Sequence, residues 1–145
     1  MTFAFDLATA VTDNGNGVYS GAVHDGWDIR GNANGGYVMA LLANAMRSAA
    51  NRPDPISITL HYLAPLPPGD FEIITQVVKQ GRRFTTVSAS MMFGGREAVR
   101  AIGAFSEARQ LMVQCDITAR HSATFLHLRS ACAEPQKAKT FRLHS

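Results

Sequence analysis

A single uncharged helix constrains the fold of this chain more than any other feature. The ten residues from Tyr37 to Met46 carry no charge, and Asn44 is the one side-chain amide among them. Asn34 is a good N-cap for this segment, and Asn51 gives a plausible stop. We therefore predict a helix over about residues 36–50 that is buried on nearly every side and must be enclosed by other elements.

Four strand-like runs follow the helix and can supply that enclosure. Along residues 56–62 the apolar side chains point one way, and Ser57, Thr59 and His61 point the other way. We expect all four runs to pair consecutively as an antiparallel meander, which gives an α+β fold with one helix inside one sheet. The other three runs cover about residues 71–79, 84–93 and 97–105.

The N-terminal segment is shorter and more ambiguous. Val18–Val23 follows a cluster of turn-forming residues at positions 13–17, Asp-Asn-Gly-Asn-Gly, and is predicted to be a strand. Phe3–Val11 is apolar and fits either an edge strand or a first turn of helix. The N-terminus lacks the basic start and long apolar run of a signal peptide, and no stretch is long enough for a membrane span. A cytoplasmic location is therefore expected.

The composition fits one folded body with a different C-terminal segment. With 145 residues and 46% hydrophobic side chains, the chain can form one core. Residues 1–106 are neutral, so the net charge of +3 belongs to residues 107–145. A neutral body argues against a nucleic-acid partner. We predict a domain over 1–106 and, over 107–145, a tail that is irregular or unrelated to the fold.

No metal site is expected from the sequence. Cys115, His121, His127 and Cys132 have suitable ligand types, but they lack the short paired spacing of a structural zinc site. His24, Asp25 and Asp28 have no further ligand cluster to support them.

The motifs, in their order, resemble a known family. They are NGGYVMALLANAM, SITLHYLAPLPPGDFEI, the turn QGRRFTT and the strand pair around GGREAVRAIGAF. Together they are similar to the hotdog fold of acyl-CoA thioesterases, and more specifically to the N-terminal half of a double-hotdog, TesB-like thioesterase, over about residues 15–106. The resemblance implies hydrolysis of fatty acyl-CoA to free acid and CoA, with CoA as part of the substrate and no separate cofactor. It also implies association through the sheets, as a homodimer or larger oligomer.

The start of the helix is the predicted substrate-binding site, formed by Asn34, Gly35, Gly36 and Tyr37. A helix N-terminus presents unpaired N–H groups and a partial positive charge, and glycines let a thioester carbonyl come close to them. Negative charge that develops on the carbonyl oxygen would be stabilised there. Alternatively, both glycines serve only close packing between the helix and the sheet.

Three other residues are candidates for the same chemistry. Arg82 and Arg83 follow a hairpin turn, where they could hold CoA phosphates or simply be solvated. His61 lies on the polar face of its strand, as either a catalytic helper or a structural hydrogen-bonding residue.

A catalytic carboxylate is missing from the helix. In single-hotdog thioesterases such an acid stands about two turns after the glycines, where this chain has Ala43 and Asn44. Asn44 is a catalytic candidate that can hydrogen-bond a water but cannot take its proton. In double-hotdog enzymes the catalytic residues belong to the other half. The resemblance therefore leaves two functions open, which are a weak or impaired hydrolase and a non-catalytic acyl-CoA-binding or dimerisation module.

Overall fold

The computed structural model describes residues 3–107. The expected tail over 107–145 lies outside these residues, apart from Glu107. No helix in residues 3–107 is both long and apolar enough to cross a membrane. The elements are α1 (Ala4–Ala8), β1 (Thr12–Asp13), β2 (Val18–Val23), β3 (Asp28–Ile29), β4 (Asn32–Ala33), α2 (Gly35–Ala50), β5 (Asp54–Tyr62), β6 (Gly69–Gln80), β7 (Thr85–Phe93) and β8 (Arg96–Ser106).

Six strands form one antiparallel sheet in the order β1-β2-β6-β7-β8-β5, which confirms the α+β class. The predicted four-strand meander is wrong, because only β6, β7 and β8 pair consecutively. Instead, β5 pairs with β8, with Thr59 opposite Ile102. The segment after β5 crosses the end of the sheet, where the amides of Leu63 and Ala64 both donate to the Ala98 carbonyl. This crossing places β7 and β8 between β5 and β6.

Helix α2 packs against the inner face of the sheet. Its Leu41, Leu42 and Met46 side chains are fully buried, and each contributes about 1.5–3 kcal/mol by leaving water. The prediction of burial on nearly every side is wrong, since Met39 is 40% exposed and Arg47 is exposed. The sheet and α1 cover only part of the helix circumference, so one side remains open. Other core residues include Ile73, Val87, Val99 and Phe105.

Strand β5 forms one edge of the sheet and is exposed along most of its length. The predicted alternation holds only in part, because the register shifts between Pro55 and Ser57. Ile56 therefore falls in a bulge and is 48% exposed. At the N-terminus, α1 realises the helical alternative for the first apolar segment.

Candidate functional site

The short β3–β4 hairpin positions the start of α2. The Asn34 amide donates to the Trp27 carbonyl at 2.9 Å, and the Val38 amide donates to the Asn34 carbonyl at 3.0 Å. The Asn34 side chain caps the helix by accepting from the Gly36 amide at 2.9 Å. No acceptor is assigned to the Gly35 amide within residues 3–107. The Tyr37 amide likewise has no acceptor among these residues, so the helix end keeps the Gly35 and Tyr37 N–H groups free for a ligand.

The two glycines differ in what surrounds them. A Cβ on Gly35 would lie 3.1 Å from the hydroxyl oxygen of Tyr62, whereas a Cβ on Gly36 would meet only the cap oxygen of Asn34, at 3.3 Å. Close packing therefore accounts for glycine at 35. Packing between the helix and the sheet does not account for glycine at 36, because a Cβ there would contact only the cap oxygen.

Tyr62 is a site residue that our sequence analysis did not identify. Its hydroxyl donates to the Gly35 carbonyl at 2.7 Å and ties the first turn of α2 to the end of β5. Partial burial raises the pKa of the Tyr62 phenol. A tyrosine phenol is protonated at neutral pH even without this shift, so the hydroxyl can donate there. The sequence contained one indication of this contact, because the alternation along residues 56–62 puts Tyr62 on the face that points toward the helix.

An aromatic cavity of about 380 Å³ lies beside Gly36. The Trp27 ring stacks on Tyr37 with centroids 5.4 Å apart, and Phe5 meets Trp27 edge-on at 5.2 Å. The Tyr37 hydroxyl donates to the Ala8 carbonyl at 2.8 Å, which fixes this ring in place. The helix end thus combines a polar donor with a rigid apolar wall.

Asp28 supplies the carboxylate of this cavity. Among the described residues it is the one acidic side chain in the cavity lining. Its Oδ2 accepts from the Gly31 amide at 2.9 Å, so one carboxylate oxygen already holds the β3–β4 turn. Residues 3–107 contain no cluster of three or more His, Cys, Asp or Glu side chains that could hold a metal ion.

The two catalytic candidates lie away from the helix start. The Asn44 side-chain amide donates to the Thr9 carbonyl at 2.9 Å, about 12 Å along the helix from Gly36. His61 pairs with Arg100 on the strand face opposite to that of Tyr62. Within one chain, the structure brings neither residue to Gly36.

Arg82 and Arg83 lie at the other end of α2. Arg52 follows the helix C-terminus, and its guanidinium donates to the carbonyls of Gly81 and Arg82 at 3.2 and 3.1 Å. The hairpin is therefore separated from Gly35 by the length of the helix, roughly 24 Å. Of the predicted substrate-binding residues, the chain itself brings together only those at positions 34–37.

Comparisons with known proteins agree with this architecture. Residues 23–106 match the family of acyl-CoA thioesterase N-terminal domains. A thioesterase II candidate from Thermobifida fusca has 31% identity and a TM-score of 0.70, over 72% of this chain and 39% of that chain. A hotdog-fold protein from Alicyclobacillus acidocaldarius has 26% identity and a TM-score of 0.62, over 74% and 40%. These matches confirm the predicted hotdog fold.

Other relatives differ in how much of their length this chain covers. A mutant of the phenylacetic acid degradation protein PaaI from Thermus thermophilus has 27% identity and a TM-score of 0.60, over 68% of this chain and 91% of that chain. Uncharacterized proteins of Mycobacterium tuberculosis and Mycobacterium bovis are 30% identical over 133 residues, which cover 86% of this chain but 46% of theirs. The chain thus spans about half the length of the mycobacterial relatives. It belongs to the family of acyl-CoA thioesterase N-terminal domains.

Proposed function

We propose that this chain binds an acyl-CoA thioester with the carbonyl at the N-terminus of α2 and the acyl group in the aromatic cavity. The observation that carries the proposal is the position of Gly36, which lines that cavity and lies between the free amides of Gly35 and Tyr37. The family match to acyl-CoA thioesterases supports the same substrate class.

The arrangement suits thioester hydrolysis for an electrostatic reason. When water attacks the carbonyl carbon, the oxygen becomes negative, and the Gly35 N–H and the helix dipole would stabilise that charge. The attacking water must also lose a proton. In this cavity only the Asp28 carboxylate could accept it, and one of its oxygens is already engaged. We therefore propose that hydrolysis by one copy is slow.

We further propose that the chain is the N-terminal half of a TesB-like double hotdog, which pairs with a second hotdog unit through the β5 edge. The exposed Ile56, Tyr62 and Leu63 side chains lie along or just beyond this edge. Antiparallel pairing of two β5 strands would bring Arg82 and Arg83 of a second copy toward the Gly35 end of α2. These cations could then contact the CoA phosphates. A homodimer would complete the binding site in this way.

A non-catalytic acyl-CoA-binding or dimerisation module is the second candidate. It is favoured by the absence of an acidic side chain on α2 and by the hydrogen bond that already engages the Asn44 amide. Binding and turnover distinguish the two candidates, because the module would bind acyl-CoA without releasing CoA.

Gly36→Ala tests the proposed site. The added methyl group narrows the approach to the helix end, so we expect acyl-CoA affinity to fall by about tenfold, together with any release of free CoA thiol. The change in the free energy of unfolding should be small, because the helix preference of alanine over glycine, about 0.5–1 kcal/mol, opposes the cost of the 3.3 Å contact between the new Cβ and the Asn34 cap oxygen. Affinity can be measured by quenching of Trp27, the one tryptophan of the chain.

Ser88→Ala on the outer face of β7 is the matched control, and it should change neither affinity nor turnover. If Gly36→Ala binds short-, medium- and long-chain acyl-CoAs as tightly as the parent chain, the proposed carbonyl position is wrong. If acyl-CoA does not quench the Trp27 fluorescence of the parent chain and the parent chain releases no CoA thiol, the proposed acyl-CoA function is refuted.

A further inference from the structure

We propose that a second cavity binds a small zwitterion that carries a protonated amine and a carboxylate, as amino acids do. This cavity has a volume of about 500 Å³ and lies between α1, β1 and residues 44–48 of α2. It shares no lining residue with the aromatic cavity, so it is distinct from the proposed acyl site.

The base of the cavity holds a tyrosine hydroxyl without a partner. Tyr19 is only 4% exposed, yet its hydroxyl makes no hydrogen bond to another residue of the described part of the chain. Every side-chain polar atom that is sealed from solvent in that part has a partner, so the Tyr19 hydroxyl retains some exposed surface, and Tyr19 lines this cavity. Tyr37 shows the usual arrangement, since its hydroxyl is bonded to the Ala8 carbonyl. The Tyr19 hydroxyl is thus available to a polar ligand.

Asn44 adds a fixed acceptor to the cavity wall. Its side-chain N–H donates to the Thr9 carbonyl at 2.9 Å, which leaves its Oδ1 without a donor among residues 3–107. The Thr9 hydroxyl is itself engaged with the Phe5 carbonyl at 2.8 Å. These two hydrogen bonds fix the Asn44 side chain and its partner Thr9, so ligand binding does not have to pay the entropy cost of ordering the Asn44 Oδ1 acceptor.

Opposite charges line the cavity without forming an ion pair. Asp6 on α1 and Asp13 on β1 contribute carboxylates, and Arg47 on α2 contributes a guanidinium. One oxygen of Asp13 already accepts from the Gly15 amide at 2.8 Å, so its other oxygen is the one available to a ligand amine. No ion pair joins Arg47 to either carboxylate in the described residues. A zwitterion could place its amine at the carboxylates and its own carboxylate at Arg47, so that it pairs with both kinds of charge. A ligand with a single charge could pair with only one of them. Asp6, Asp13 and Arg47 are all exposed, so solvent screening keeps the expected affinity near the millimolar range.

Titration of the full chain with 4-aminobutanoate, followed by NMR, tests this site. Butylamine and butanoate serve as ligands of the same chain length with one charge each. We expect 4-aminobutanoate to bind at least about tenfold tighter than either. Tyr19→Phe removes only the hydroxyl, and it should weaken binding of 4-aminobutanoate by about fivefold. Arg47→Gln should abolish the preference over butylamine, whereas Arg96→Gln, which changes an exposed arginine outside both cavities, should leave it unchanged.

Three results would overturn the inference. The first is no binding of 4-aminobutanoate at about 10 mM. The second is equal affinity for the zwitterion and both single-charge ligands. The third is unchanged affinity in a folded Tyr19→Phe variant. Neither Tyr19 nor Arg47 touches the aromatic cavity, so acyl-CoA binding measured through Trp27 remains an independent readout.

Discussion

Tyr62 links the helix end to the edge strand through one hydrogen bond, which makes it the most informative single residue for stability. Tyr62→Phe removes the hydroxyl that donates to Gly35, so the free energy of unfolding should fall by about 1 kcal/mol at pH 7. Chemical denaturation of both proteins measures this difference. An unchanged free energy of unfolding would show that the hydrogen bond contributes nothing net.

The same pair of proteins gives a prediction about pH. Because the pKa of the Tyr62 phenol is raised in the folded state, the unfolded chain releases this proton first. The contribution of Tyr62 is therefore complete below the ordinary tyrosine pKa of about 10, and it is lost as the pH rises through the folded value. The stability difference from Tyr62→Phe should shrink above pH 10. A constant difference up to pH 11 would contradict the raised pKa.

Individual site residues were only partly predictable from sequence. The cap at Asn34 follows from local chemistry, because a short polar side chain before a helix accepts from the amide two residues later. The different roles of Gly35 and Gly36 depend on Tyr62, which is 27 residues away from Gly35. Contacts between distant residues leave no local pattern. The catalytic roles of Asn44 and His61 stay predictions.

Among the elements, the edge strand β5 carries the proposed assembly. Ile56→Lys and Leu63→Lys place charges on exposed apolar positions, so together they should dissociate the dimer without unfolding the chain. Sedimentation measures the mass, and circular dichroism reports the fold. Ile74→Lys, at an exposed position of β6, is the matched control and should leave the dimer intact. If the dimer persists in the Ile56→Lys/Leu63→Lys variant but dissociates in Ile74→Lys, the interface lies on the outer face of the sheet and not at the β5 edge.

Element positions were predicted better than element order. The bounds of α2 and of β6 to β8 agree with the sequence pattern within about two residues, because periods of 2 and 3.6 are local properties. The pairing of β5 with β8 was missed, since it depends on how residues 63–68 cross the end of the sheet. The open side of α2 was missed for a similar reason, because an uncharged helix does not show how far one sheet can enclose it.

For the whole molecule, the central claim is that an acyl thioester places its carbonyl at the start of α2. The chain spans about half the length of its mycobacterial relatives, so binding tests this claim more directly than turnover does. The decisive measurement is amide NMR of the full chain titrated with a non-hydrolysable hexanoyl-CoA analogue. We expect the largest shifts at Gly35, Gly36 and Trp27. Shifts confined to the outer face of the sheet, around Ser88 and Ile102, would contradict the claim.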